Sequence, residues 1–383
     1  MLKPILAAAL TAALTLTSIP ASAAAEDTPL PDLSCKSALL MEKETGTILY
    51  EHASHTPLAP ASVTKIMTML LVMEALDSGA ISRDDIVTVS AAAAGMGGSQ
   101  VYLKQGEQMS VDELLKCVAV VSGNDCAVAL AEHVAGSEAA FVERMNRRAA
   151  ELGMHDTHFL NCTGLPAPGH LTSAHDIALM SRELIRSHPS IRDYTTVWMD
   201  TIRNGEFGLT NTNRLIRFYP GATGLKTGST DEALYCMSAT AERDGMELIA
   251  VVMGAPTTAQ RFEDAQTLLD YGFARWALLE IRPDVPLAPI PVLLGQTAQV
   301  QPLCAQPCRL LVEKQARGEV STRLELCENV QAPVEQGQIL GRFQVYVGEE
   351  LRTTLPLTAA REVPRLTTGD IMLRLLERLL MTK

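Results

Sequence analysis

The sequence predicts an α/β chain of the α+β kind, in which a mostly antiparallel sheet covered by helices is followed by a small all-β domain. Three observations carry this. Short apolar runs come in pairs around tight turns, near residues 38–50 and again near 234–254, as in antiparallel hairpins. Helix-length apolar periodicity fills the chain between and after those pairs. At Pro283 the composition changes, and short alternating runs separated by turn residues continue to Pro364.

In chain order, Ala38 to Met41 and Thr47 to Tyr50 flank Glu44-Thr45-Gly46 as a hairpin. Ile66 to Met73 is apolar with hardly a polar break, which predicts a helix buried on most sides. Val111 to Val121 and Ala127 to Val134 carry helical periodicity on either side of Ser122-Gly123-Asn124-Asp125. Phe141 to Leu152, ended by Gly153, and Ser173 to Ser187, with Ser173 and Asp176 suited to its first turn, are further helices. Leu234 to Ala241 and Glu247 to Gly254 flank Arg243-Asp244-Gly245 as two strands, and Gln260 to Leu279 is expected to be helical. Pro283, Pro286, Pro289 and Pro291 make a stiff linker that cannot continue that helix. Arg309 to Val312 and Phe343 to Val347 are typical strands of the β domain.

At 383 residues and 47% hydrophobic content, the chain has material for two domains, and 4% aromatic content makes the core aliphatic and methionine-rich. A net charge of -12 offers no basic stripe for phosphates, which excludes nucleic acid as a partner. Lys3, an apolar run from Pro4 to Ile19 and then Pro20-Ala21-Ser22-Ala23 read as a secretory signal cleaved near Ala23. The expected segments are therefore a signal at 1–23, a main domain at 24–282, a linker at 283–291, a β domain at 292–365 and a terminal helix at 366–383. The mature protein is expected outside the cytoplasmic membrane. The eight cysteines divide five before the linker and three after it, which spoils a simple disulfide framework. Cys304-x-x-x-Cys308 with Cys327 gives three metal ligands but no fourth Cys or His nearby, so small buried thiols are the expected state.

Lys65 is the anomaly in the apolar helix. A buried ammonium is costly unless it is paired, hydrogen-bonded or deprotonated, and Ser62, three residues earlier, is within its reach. An S-x-x-K alone arises by chance about once or twice in a chain of this length, so its weight depends on two further stretches. These are Ser122-Gly123-Asn124, between two apolar helices, and Lys226-Thr227-Gly228-Ser229-Thr230, just before a strand. Taken singly, the first reads equally as an ordinary helix cap and the second as a surface turn.

In this order the three resemble the S-x-x-K, S-D-N and K-T-G signature of penicillin-binding proteins and class A β-lactamases, with glycine in the middle of the second motif. Ser122 to Ala131, Phe141 to Asn146, and Gly153-Met154 leading to Asn161-Cys162-Thr163-Gly164-Leu165 resemble the low-molecular-weight D-alanyl-D-alanine carboxypeptidases, as does Ala332-Pro333-Val334 to Gly341 in the β domain. The resemblance spans roughly Leu33 to Leu279 and implies a DD-peptidase/β-lactamase-like fold. Cys126 and Cys162 stand where that family usually has alanine and proline.

The resemblance also implies roles. Ser62 is the nucleophile, Lys65 takes its proton, Ser122 relays it to the leaving amine, and Asn124 holds the substrate amide. Lys226 and Thr227 face the terminal carboxylate, with Gly228 in the same motif, and the N–H groups of Ser62 and Ser229 form the oxyanion hole. Arg214 and Arg261 resemble further carboxylate-side arginines, with surface salt bridges as the competing account. The implied partners are peptidoglycan stem peptides ending in D-Ala-D-Ala and β-lactam antibiotics, with no cofactor and no metal.

Other classes fit less well. H-E-x-x-H and G-x-S-x-G are absent, and no glutamate lies between Leu152 and Arg182 to activate a deacylating water, which weighs against a β-lactamase. A non-catalytic sensor or scaffold binding β-lactams or muropeptides is the remaining alternative, and the intact reactive residues oppose it. The tail from Ile371 to Lys383 places Arg374, Glu377 and Arg378 in one arc with apolar residues around the rest. Thirteen residues make about 20 Å of helix, too short to span a membrane. The tail is expected to lie in the plane of the outer membrane surface, the alternative being packing on the β domain or a second chain.

Overall fold

The structure is a computed structural model that describes residues 30–283, 286–304 and 307–380. The expected signal at 1–23 and the last three residues lie outside these.

Five strands form the central sheet: β1 (Ser37–Glu42), β2 (Ile48–His52), β3 (Ala222–Thr230), β4 (Leu234–Arg243) and β5 (Met246–Ala255). Their order is β2-β1-β5-β4-β3, every neighbouring pair antiparallel, so β3 is an edge. The β4–β5 turn works because Asp244 and Gly245 take φ of 51° and 75°, the left-handed pair that matches strand twist in a two-residue hairpin.

Strand alternation assigns the two faces. Leu39, Met41, Ile249, Val251 and Met253 point into one core with helix α1 (Lys65–Asp77), α2 (Val111–Val120), α3 (Asn124–Ala135), α4 (Glu138–Glu151) and α5 (Ala174–Ser187). Ala38, Leu40, Leu248, Ala250 and Val252 point the other way, onto α6 (Thr258–Arg275). A Cβ on Gly272 of α6 would meet Leu248 at 2.5 Å and Leu40 at 2.9 Å, so glycine sets how closely that helix lies on the sheet. Within α1, Lys65 to Met73 are all buried, the continuous burial that its unbroken apolar run requires. Ser110 and Ser173 cap α2 and α5, accepting from the N–H groups of Glu113 and Asp176, each at 3.2 Å.

One expected helix is too long. Its residues 276–279 belong instead to a strand, Trp276–Ile281, paired with Cys308–Glu313 so that Leu278 faces Leu311 and Leu279 faces Leu310. Ala, Leu and Glu favour helix locally, but cross-strand pairing with a segment thirty residues away overrides that preference. Strand Ile290–Leu293 also starts inside the proline-rich stretch read as linker.

Beyond it, Pro302–Cys304, Glu350–Ala359, Ile339–Val347 and Val320–Leu326 form a four-stranded antiparallel sheet over Phe343, Val345 and Leu357. Of the cysteines, Cys35, Cys117, Cys126, Cys162, Cys236 and Cys308 are buried, but Cys327 is exposed and Cys304 half-exposed. The expectation of small buried thiols fails for those two: Cys304 ends one edge strand of this sheet and Cys327 directly follows the other. The tail forms helix α7 (Thr368–Leu380).

Candidate active site

Ser62 lies ahead of α1, in a 3-10 turn over Ala61–Thr64. Ala61, just before it, has φ of 49°, a strained value for a residue with a Cβ. Close packing holds it there, since a Cβ on Gly164 would stand 1.8 Å from the Ala61 carbonyl oxygen.

Lys65 is fully buried. Its Nζ is 3.0 Å from Ser62 Oγ, 2.6 Å from Asn124 Oδ1 and 2.7 Å from the Thr163 carbonyl oxygen. Burial pulls its pKa down to about 7, against small opposing contributions from Cys162, Cys126 and Asp125. A neutral amine has two N–H donors and one lone pair. Two of the three contacts are pure acceptors, so the amine donates to Asn124 and Thr163 and turns its lone pair to the Ser62 hydroxyl, the arrangement of a base.

Ser122 stands between α2 and α3 with φ of 65°. Its Oγ is buried without a hydrogen-bond partner among the described residues, a costly state for a hydroxyl that has no other work. Asn124 opens α3. Besides accepting from Lys65, it donates through Nδ2 to the Gly97 carbonyl at 2.6 Å, and its backbone N–H donates to Ser99 at 2.7 Å. Asp125 anchors the same loop by accepting from the N–H groups of Val101 and Leu103, at 3.0 and 3.1 Å to Oδ2.

The third motif runs along edge strand β3. Lys226 is 1% exposed, and the hydrogen bond its Nζ makes goes to the Thr227 carbonyl at 3.0 Å. Burial, then the like charges of Lys65 and Arg261, push its pKa well below the lysine range. Burial and these neighbours push the unliganded amine toward neutrality, and an anion bound beside it and Arg261 would draw it back to its charged form. Thr227 Oγ1 donates to Thr212 Oγ1 at 2.8 Å, and Ser229 is exposed at the strand end. A Cβ on Gly228 would stand 2.9 Å from the nitrogens of Ser62 and Val63, so this glycine lets β3 lie against the nucleophile's turn.

The two arginines part company. Arg261 is buried on α6, donates to the Gly228 carbonyl at 3.2 Å and lies over the rings of Phe262 and Tyr235, its pKa drawn down by burial to about 10. Arg214 is exposed ahead of the short helix Leu215–Phe218 and its side chain makes no hydrogen bond to the three motifs among the described residues, although its charge bears on Arg261. Neither makes a salt bridge among the described residues, so the competing account fails for both.

Several contributors went unseen in the sequence. The Thr163 and Gly97 carbonyls are backbone atoms and carry no side-chain signal, Asp125 read as part of a polar insertion, and Thr212 belongs to no motif. Cys126 and Cys162 are fully buried near the site, with Cys162 Sγ donating to Glu138 at 3.3 Å.

Residues 22–257 match the family model described as D-alanyl-D-alanine carboxypeptidase. The chain belongs to that family. Residues 283–365 match a second model, the C-terminal domain of penicillin-binding protein 5. The chain is 42% identical to the Bacillus subtilis D-alanyl-D-alanine carboxypeptidase DacF over 86% of each sequence. Among solved structures it resembles penicillin-binding protein 5 from Haemophilus influenzae, with 31% identity and a TM-score of 0.74 over 89% of this chain and all of that one. It also resembles penicillin-binding protein D2 from Listeria monocytogenes in its ampicillin-bound form, with 34% identity and a TM-score of 0.59 over 64% of this chain and all of that one. The expected family and the expected fold, a helix-covered antiparallel sheet with a following β domain, are both borne out.

Proposed function

We propose that this member of the family removes the terminal D-alanine from stem peptides ending in D-Ala-D-Ala, through an acyl-enzyme on Ser62, and that penicillin acylates the same oxygen. The observation that carries this reading is the Lys65 amine, buried with two acceptors and the Ser62 hydroxyl around it. The peptide adds along edge strand β3 with its carboxylate at Lys226, Thr227 and Arg261. Lys65 takes the Ser62 proton as Oγ attacks the penultimate carbonyl, and the oxyanion rests on the N–H groups of Ser62 and Ser229. Ser122 passes the proton to the departing amine, D-alanine leaves, and water then cleaves the ester. Asn124 orients Lys65 and, by releasing Gly97, the substrate amide.

The β-lactamase alternative lacks its water-activating group. The acids of the stretch following α4 are Asp156, bonded to His55, and Asp176, bonded to Thr157 and the Asp156 N–H. Ser62→Ala is expected to end both D-alanine release and covalent labelling by fluorescent penicillin; labelling that persists would overturn the assignment.

In this reading residues 1–23 are a cleaved signal, 24–282 the catalytic unit, and the enzyme acts outside the cytoplasmic membrane. Helix α7 holds it to that membrane's outer face. Support comes from Arg374, which donates to the Gln296 carbonyl at 2.6 Å, and Asp370, which accepts from the Gln296 amide at 3.3 Å, while Met372, Leu373, Leu375 and Leu376 are left exposed. No helix among the described residues is long and apolar enough to cross a membrane.

A further inference from the structure

We propose that His170 is a positioning residue: its neutral imidazole locks the loop between His158 and Leu171 onto the turn bearing Ser62, and so keeps the Thr163 carbonyl on Lys65. This rests on the serine mechanism above and concerns a residue outside the three motifs.

The loop is closed at its base, where His158 and Leu171 exchange backbone hydrogen bonds at 2.9 and 3.2 Å. His170 is 3% exposed, with the Phe159 ring edge-on at 5.8 Å. The Leu160 N–H donates to Nδ1 at 3.0 Å, so that nitrogen carries no proton. The proton is therefore on Nε2, which donates to Thr64 Oγ1 at 2.9 Å. One ring thus joins the loop to the residue directly before Lys65. Thr68 Oγ1 makes a parallel tie to the Cys162 carbonyl at 2.7 Å, next to the carbonyl that accepts from Lys65.

Protonation at Nδ1 would set two donors against each other at Leu160. Burial, with His158 adding to it, holds the ring neutral by drawing its pKa down to about 4. Glu232 lines, with His170, a small crevice beside Ala61 and Gly164, and Lys65 follows Thr64 as the first residue of α1. What the clamp protects is the dryness of Lys65, whose low pKa comes first from burial. A loosened loop admits water and returns the amine toward its ordinary, protonated state.

The test measures the rate of acylation by fluorescent penicillin against pH in the full-length protein, with thermal stability followed in parallel. His170→Phe keeps the ring's bulk and removes both hydrogen bonds; it should move the rising limb upward by about one pH unit, leaving roughly a tenfold slower reaction at neutral pH. His170→Gln can still accept from Leu160 and donate to Thr64, and should restore both. Should the Phe variant not fold, Thr64→Val cuts the same tie from the other side and should shift the limb in the same direction. A limb that stays in place in the folded variants, with only the melting temperature lowered, would reduce His170 to a packing residue and overturn the proposal. Unlabelled wild-type protein would instead refute the serine mechanism, which separates the two failures.

Discussion

Gly228 passes so close to Ser62 that a single methyl group on it would stand 2.9 Å from the serine's backbone nitrogen, nearer than side-chain carbons approach. The edge strand and the nucleophile's turn are therefore fitted to each other through a missing side chain. In the proposed reading the oxyanion rests beside this contact, on the N–H groups of Ser62 and Ser229. Gly228→Ala should push β3 away and spoil donation from Ser62 and Ser229 together. The expected loss in acylation rate is about 100-fold, typical of an oxyanion-hole donor, with a stability cost of roughly 1–3 kcal/mol from overpacking. Stopped-flow labelling by penicillin measures the first; an unchanged rate would show that the oxyanion rests elsewhere.

The pKa of Lys65 fixes the direction of the pH dependence. The amine is active when neutral and its pKa is drawn down to about 7, so acylation should rise tenfold per pH unit below that value and level off above it. Lys65→Arg, which cannot shed its proton, should lose about 100- to 10,000-fold at every pH. A flat profile in the wild type would mean that Lys65 does not take the serine's proton.

Lys226 offers a test of substrate capture rather than chemistry. This lysine lies buried near Arg261 with no carboxylate bonded to either among the described residues, and in the proposed reading a C-terminal carboxylate is the counter-ion that restores its charge. Lys226→Ala should lower kcat/KM for a free-acid peptide by roughly 100-fold, or about 3 kcal/mol. The amide of the same peptide, already poor, should change little. Equal losses on both would remove Lys226 from the carboxylate site.

The sequence announced the reactive side chains far better than what holds them. Ser62 and Lys65 stood out because a lysine in an unbroken apolar run needs a chemical reason, and the helices around Ser122 were visible from their periodicity. Hidden from it were the ties that work through backbone atoms: the Thr163 carbonyl on Lys65, the Gly97 carbonyl on Asn124, and the approach of Gly228 to Ser62. The strand Trp276–Ile281 was missed for a related reason, since its partner Cys308–Glu313 is remote in the chain and local propensity favours helix. Arg214 and Arg261 looked equivalent as residues, and only the placing of α6 on β5 and β4, from which Arg261 reaches the Gly228 carbonyl, distinguishes the buried one from the exposed one.

The tail separates membrane attachment from catalysis. Asp370 also caps its own helix, accepting from the Thr367 N–H at 2.8 Å, so α7 is fixed at its start by both the cap and the tie to Gln296. Leu373 and Leu376 are 61% and 50% exposed on the side left free. Burying such side chains in the acyl boundary yields about 1.5–3 kcal/mol each, while the few basic residues of the tail add only modest attraction to anionic lipid. Truncation before Asp370 should release the protein from phosphatidylglycerol-containing liposomes in a flotation assay. Leu373→Glu with Leu376→Glu should do the same while keeping the Arg374 and Asp370 ties. Both variants should hydrolyse a soluble D-Ala-D-Ala peptide at the wild-type rate, because the hydrogen bonds of Arg374 and Asp370 fix α7 to residues 295–296 of the β domain and not to the three motifs. If the double variant still floats with the liposomes, the exposed leucines are not what binds lipid, and the helix face is left to pack against protein instead.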